Sequence, residues 1–182
     1  MAKLILIRHG QSVWNAENRF TGWTDVDLSE KGVLEAEEAG QELRNQGIDV
    51  VHTSDLIRAQ RTAEIVIQAN DSSNETVTKT DWRLNGRNYG ELQGLNKTET
   101  AEKHGSEQVH IWRRSFDVAP PDGESLEMTA ERTIPYFEEE IRPDLEAGMD
   151  VLVSAHGNSL RSIVMHIEEI SPEDIVSFEI PT

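Results

Sequence analysis

Cysteine is absent from the 182 residues, which removes disulfides, thiolate metal ligands and thiol nucleophiles together. Basic residues are scarce. Lys and Arg number 17 against 34 Asp and Glu, a formal charge of -17. A surface of that sign repels nucleic acid and anionic membranes, so neither is expected as a partner. No apolar run is long enough to cross a bilayer. The short Leu4-Ile5-Leu6-Ile7 run leads straight into Arg8-His9-Gly10 with no small-residue cleavage site, unlike a signal peptide. A cytoplasmic location is the default expectation. Repeats, low-complexity tracts and interdomain linkers are missing too, so residues 1–182 are expected to form one domain with a sizeable core.

The scarce cations give the first positive signal. Several sit beside Gly, His, Trp or Asn: Arg8, Arg58, Arg61, Arg83, Arg87, Lys97, Arg113 and Arg114. Around them, apolar runs alternate with helical patterns. The Leu4 run reads as a strand buried on both faces. Ser29 is the expected N-cap of a helix with Val33, Ala36, Gly40 and Leu43 on one face, closed by Gly47. Val50-Val51-His52 is a second strand, followed by a helix turning Leu56, Ala59, Ala63, Val66 and Ile67 inward. Residues 69–75 read as a polar loop and Thr76-Val77-Thr78 as a strand. Three glycines and little periodicity make 81–97 a long loop, the kind of segment that carries function on a compact scaffold. One helix is expected over 98–114. A second runs from Leu126 to Ile141, with Pro135 able to kink it. Val151-Leu152-Val153 is a third buried strand, followed by a helix with Leu160, Ile163, Val164 and Ile167 on one side. Residues 175–180 read as a last strand. The alternation predicts a three-layer α/β fold, a mostly parallel sheet with helices on both faces.

Two segments share one design. Each is an aliphatic strand running into a histidine and a glycine: Arg8-His9-Gly10 and His156-Gly157-Asn158. Ligands of open parallel sheets bind beyond the carboxyl ends of the strands. Both histidines fall there, each followed by a residue that lets backbone approach a ligand. Imidazole is a good nucleophile towards phosphorus, and arginine forks neutralise the transferring oxygens. Zinc is the alternative for paired histidines, but no carboxylate–histidine ligand spacing is present and no metal is expected. His52, His104, His110 and His166 carry no such pattern and read as surface or helix positions. Trp14, Trp23, Trp82 and Trp112 read as packing residues that hold loops.

The run Leu6-Ile-Arg-His-Gly-Gln-Ser-Val-Trp-Asn15 resembles the signature of the histidine phosphatase superfamily. It is more similar still to the 2,3-bisphosphoglycerate-dependent phosphoglycerate mutases. The likeness continues through Asn18-Arg-Phe-Thr-Gly-Trp23, Thr53-Ser-Asp-Leu-Ile-Arg-Ala59, Tyr89-Gly-Glu-Leu-Gln-Gly-Leu-Asn-Lys97, Gln108-Val-His-Ile-Trp-Arg-Arg-Ser115, Glu124-Ser-Leu126 and Ala155-His-Gly-Asn-Ser-Leu-Arg161. The resemblance implies a phosphoglycerate mutase-like fold and interconversion of 3-phosphoglycerate and 2-phosphoglycerate in glycolysis and gluconeogenesis. The phosphoryl primer would be 2,3-bisphosphoglycerate. It implies that His9 carries the phosphoryl group, with Arg8, Arg58 and His156 around it. Asn15, Thr21 and Gly22 would seat the substrate. Arg87, Tyr89, Lys97, Arg113 and Arg114 would hold its carboxylate or second phosphate, and Gly157 and Asn158 would add polar contacts. Relatives of this kind are often dimers or tetramers, which leaves a homo-oligomer open.

Three departures qualify that expectation. The family's Leu-Asn-Glu-Arg loop, whose glutamate is the acid/base, reads Leu84-Asn85-Gly86-Arg87 here. Loss of a positioned acid/base costs about 100- to 10,000-fold in rate. The connection from Arg114 to Ser125 is short, which predicts a more open site. The family's further strand and tail after residue 182 are expected to be lacking. A reduced mutase is therefore the leading expectation. A phosphatase on the same scaffold and a phosphoglycerate-binding pseudoenzyme stand as alternatives.

Overall fold

A computed structural model describes residues 1–71 and 75–182. Residues 72–74 of the expected 69–75 loop lie outside the described residues. Four strands, β1 (Leu4–Arg8), β2 (Val50–Thr53), β3 (Val77–Thr80) and β4 (Val151–Ala155), form one sheet in the order β1-β4-β2-β3, with every pairing parallel. A short helix, α1 (Val13–Ala16), follows β1. Side chains alternate across a strand, and the sheet feeds two cores. Val50, Val151 and Val153 face α6 (Leu126–Tyr136) and α8 (Gly157–Ile167), packing with Tyr136, Leu160 and Ile163. Val51 and Leu152 face the other way, towards α2 (Glu30–Glu42) and α3 (Ile57–Gln68), packing with Ala63 and Val66. The three-layer arrangement is the expected one. Among the described residues no helix is long and apolar enough to cross a membrane.

Several expectations change. β4 is buried throughout, but β1 is only half-buried, because among the described residues it pairs with β4 alone and forms a sheet edge. Ser29 does cap α2, its hydroxyl accepting from the Gly32 N–H, but the helix ends at Glu42, well before Gly47. The helix expected over 98–114 is two, α4 (Lys97–His104) and α5 (Ser106–Arg114). Gly105 breaks it at φ +89°, a left-handed value that ends helices. Pro135 lies inside α6, and a π-helical turn over Phe137–Ile141 follows before α7 (Arg142–Glu146). A missing backbone N–H at proline is a recognised source of such irregularity. Residues 175–180 are not a strand: α9 (Pro172–Ile175), capped by Ser171, precedes an irregular segment. His52 is neither on the surface nor on a helix. It is fully buried on β2, with Tyr136 Oη and Asp144 Oδ2 each 2.7 Å from its ring nitrogens.

Gly10 is also held to glycine by a contact within the fold. A Cβ there would lie 2.2 Å from the Gly32 carbonyl oxygen, and a Cβ on Gly32 would lie 2.0 Å from that of Gln11. The two glycines let the first turn of α2 press onto the backbone leaving β1. That contact, with Ser29 N–H donating to Gln11 O, fixes the direction in which His9 leaves the sheet.

Candidate active site

His9 follows the last residue of β1, and its N–H still donates to Ala155 O of β4. His156 follows β4 and is the N-cap of α8. Adjacent parallel strands therefore carry both rings to one place, with centroids 4.9 Å apart and planes 60° apart. Both are buried. The His9 Nδ1–H donates to the carbonyl of Gly10 at 2.6 Å, so Nε2 bears the lone pair. Burial, then the Arg58 charge and to a lesser degree that of Arg8, push the His9 pKa down to about 3. Burial and the neighbouring Arg58 also hold His156 well below the ordinary histidine range. Both rings are neutral at pH 7. The Ser54 hydroxyl, at the end of β2, lies 2.7 Å from His156 Nε2 and fixes that ring.

Arg58 sits in the first turn of α3, and its guanidinium donates to Gly22 O and Thr24 O. Gly22 has φ +57°, which turns its carbonyl to this use. Burial lowers the Arg58 pKa to about 10. Arg8 donates to Ile180 O. Among the described residues, Arg8 Nε, Arg58 Nε, His156 Nδ1 and Thr21 Oγ1 are buried here without a protein partner, and so is the Nε of another pocket-lining residue, Arg161. Buried polar groups are normally paired. Open valences around two neutral imidazoles suit a tetrahedral oxyanion.

A cavity of about 250 Å³ joins this end to a cationic wall. Arg113 and Arg114 come from the last turn of α5, and Lys97 begins α4 behind its cap Asn96. Burial and the charges of Arg113, Arg8 and Arg114 lower the Lys97 pKa to about 8. Eight of the chain's 17 cations line this one pocket, against a single carboxylate, Glu179, which pairs with Arg114 at 2.6 Å. All fifteen residues to which the resemblance gives a place in the site line it, including Asn15, Tyr89, Gly157 and Asn158. Arg61 and Arg83 do not: they pair with Asp27 and with Asp81 and Glu139. No tryptophan lines it either. Arg87 lines the wall but spends three N–H groups on the carbonyls of Arg113, Ser115 and Glu124. Arg19 and Arg161 line it as well. Both stand inside the quoted family segments, and their scarcity as cations was the one available signal. Among the described residues no group of three or more His, Asp or Glu side chains is placed to hold a metal.

A family model described as histidine phosphatase superfamily (branch 1) matches residues 4–182. A 2,3-bisphosphoglycerate-dependent phosphoglycerate mutase of Protochlamydia amoebophila (strain UWE25) is 50% identical over 208 residues, covering 100% of this chain and 92% of that protein. The chain belongs to the 2,3-bisphosphoglycerate-dependent phosphoglycerate mutase family. A member from Parvibaculum lavamentivorans is 52% identical over 181 residues, covering 98% of this chain and 86% of its own. The alignment with the Protochlamydia mutase is longer than the 182 residues present here, so that relative carries residues this chain lacks; the Parvibaculum alignment is not. Among solved structures, a mycobacterial glucosyl-3-phosphoglycerate phosphatase complexed with VO3 is 26% identical with a TM-score of 0.86, covering 98% of this chain and 86% of that one.

Proposed function

We propose that the protein interconverts 3-phosphoglycerate and 2-phosphoglycerate through phospho-His9, at a rate limited by Gly86. The observation that carries this reading is the pairing of the two ends of one cavity: two neutral histidines with open valences, and the Lys97–Arg113–Arg114 wall. A phosphomonoester alone needs only the first. A phosphoglycerate, with a phosphate and a carboxylate, uses both.

Phospho-His9 passes its group to the free hydroxyl of 3-phosphoglycerate, the N–P bond breaks, and the hydroxyl gives up a proton. The freed His9 Nε2 then attacks the phosphorus on the neighbouring oxygen, that P–O bond breaks, and the departing oxygen takes up a proton. Arg8, Arg58 and His156 meet the charge on the moving oxygens, the main demand of phosphoryl transfer. Asn15, Thr21 and Gly22 seat the glycerate, and Tyr89, Gly157 and Asn158 contribute polar contacts. The unpartnered atoms fit a phosphoryl group, and 2,3-bisphosphoglycerate supplies the one that first loads His9. Position 86 offers no side chain to carry the proton. A Cβ there would lie 3.0 Å from His156 Cβ and 3.2 Å from Cγ, so a side chain requires His156 to give by a few tenths of an ångström.

The likeness to a glucosyl-3-phosphoglycerate phosphatase favours a second reading, in which phospho-His9 passes its group to water. Turnover of 3-phosphoglycerate to 2-phosphoglycerate, primed with 2,3-bisphosphoglycerate, is measured beside phosphate release. Isomerisation faster than release supports the mutase; release alone replaces it with the phosphatase. Failure of 2,3-bisphosphoglycerate to label His9 overturns both.

A further inference from the structure

Arg132, on α6, lies outside the pocket and is buried, yet each of its three guanidinium nitrogens is in use. Nη1 donates to Arg83 O and Asn85 O, Nη2 to Gly86 O at 2.6 Å, and Nε and Nη2 to the two carboxylate oxygens of Glu124. Its charge stacks 5.2 Å from the Trp23 ring, whose Nε1–H also donates to Gly86 O. One guanidinium thus satisfies the carbonyls of the loop that lies against His156. Glu124 turns the other way as well. Its Oε1 accepts from the Asn88 N–H, and its main-chain carbonyl accepts from Arg87 Nε. Arg87 in turn holds the carbonyls of Arg113 and Ser115. Charged side chains cap helix C-termini in this way, and this cap sits on the turn that presents Arg113 and Arg114.

We propose that Arg132, Glu124 and Arg87 form a relay of positioning residues that sets the span between the histidine end of the cavity and its Arg113–Arg114 end. This span selects a substrate whose two anionic groups are one glycerate apart. The relay rests on the phosphoglycerate reading above. A rigid, bidentate guanidinium–carboxylate contact transmits position better than a single charge. In Glu124→Gln the amide NH₂ must face an Arg132 N–H, donor against donor, because both carboxylate oxygens accept from that guanidinium, and in Arg132→Lys the fork is lost.

The test compares two ligands by calorimetry on the full chain: 3-phosphoglycerate, which reaches both ends, and orthovanadate, which occupies only the histidine end. Glu124→Gln and Arg132→Lys are expected to weaken 3-phosphoglycerate about 10-fold, the scale of sub-ångström misplacement, and to leave orthovanadate within about 2-fold. A purely structural role weakens both alike, and that result, or no change in either, overturns the relay. In the unmodified protein, hydrogen exchange at the Asn88 amide is expected to slow with 3-phosphoglycerate and not with orthovanadate. Equal slowing by both overturns the relay even where a variant fails to fold. An unmodified protein that binds orthovanadate but not 3-phosphoglycerate overturns the phosphoglycerate reading instead.

Discussion

His9 and His52 are both buried histidines of the same parallel sheet, and burial holds both below the ordinary histidine pKa. Their surroundings differ in one respect. His52 has a partner at each nitrogen: its Nε2–H donates to Asp144, and the Tyr136 hydroxyl donates to Nδ1. Asp144 is completed by Lys79. His9 has a partner only at Nδ1, and its Nε2 faces a cavity shared with unpaired arginine and histidine nitrogens. Burial does not separate the two histidines; an open valence beside a space does. The same measure separates Arg132, whose nitrogens are all bonded, from Arg8 and Arg58, whose Nε atoms are not.

The sharpest way to break the comparison is to exchange each histidine for glutamine. His9→Gln is expected to abolish phosphoenzyme formation, a loss beyond about 10,000-fold, with little change in melting temperature. His52→Gln is expected to do the opposite. It leaves a buried partner unmet at a cost of about 1–3 kcal/mol, read by denaturant unfolding, while labelling of His9 persists. Equal effects of the two on labelling would erase the distinction.

Position 86 comes next in size. Gly86→Glu is expected to raise mutase turnover by about 100-fold or more. Gly86→Ala adds the same Cβ without a carboxyl and is the control for crowding of His156, 3.0 Å from that Cβ. An equal gain in both variants would mean that loop packing, not the proton, limits the reaction. Third, Ser54→Ala removes the hydroxyl 2.7 Å from His156 Nε2 and frees the ring; a loss of about 10-fold in His9 labelling is expected.

A further effect is spread over pH. His9, His156 and His52 have depressed pKa values in the fold, so the unfolded chain binds the extra protons. Their contribution is fully present above about pH 6.5 and is lost as pH falls towards the folded values, near 3 for His9. Between pH 6 and 4.5, ahead of most carboxylate titration, the His9 share alone is expected to lower stability by up to about 1.4 kcal/mol per pH unit, with His156 and His52 adding in the same direction. His9→Gln should remove one share of that slope. A flat profile would mean the rings are not held neutral.

Much of this was legible in the sequence because it is local. A strand ending in Arg-His-Gly or His-Gly-Asn places its histidine at the sheet's mouth wherever the strand goes, and Ser29 caps its own helix. What was illegible depends on meetings across the chain. Nothing near Arg132 in sequence announces that it reaches 46 residues back to Gly86 O. His52 looked unremarkable because its partners, Tyr136 and Asp144, are 84 and 92 residues away. Gly105 broke a helix that periodicity alone carries through, since one residue at positive φ outweighs a continuing apolar pattern.

The gathering of eight cations into one cleft of a chain with net charge -17 also governs how a substrate arrives. Beyond about 8 Å at physiological ionic strength the dissolved ions mask individual charges, but in dilute buffer the far field is that of a polyanion, and it turns an anionic visitor away. Attraction begins only near the mouth. Added salt therefore shortens the repulsive reach before it weakens the grip inside, and the association rate constant should climb with ionic strength before it declines. In an ordinary electrostatically guided enzyme it only declines.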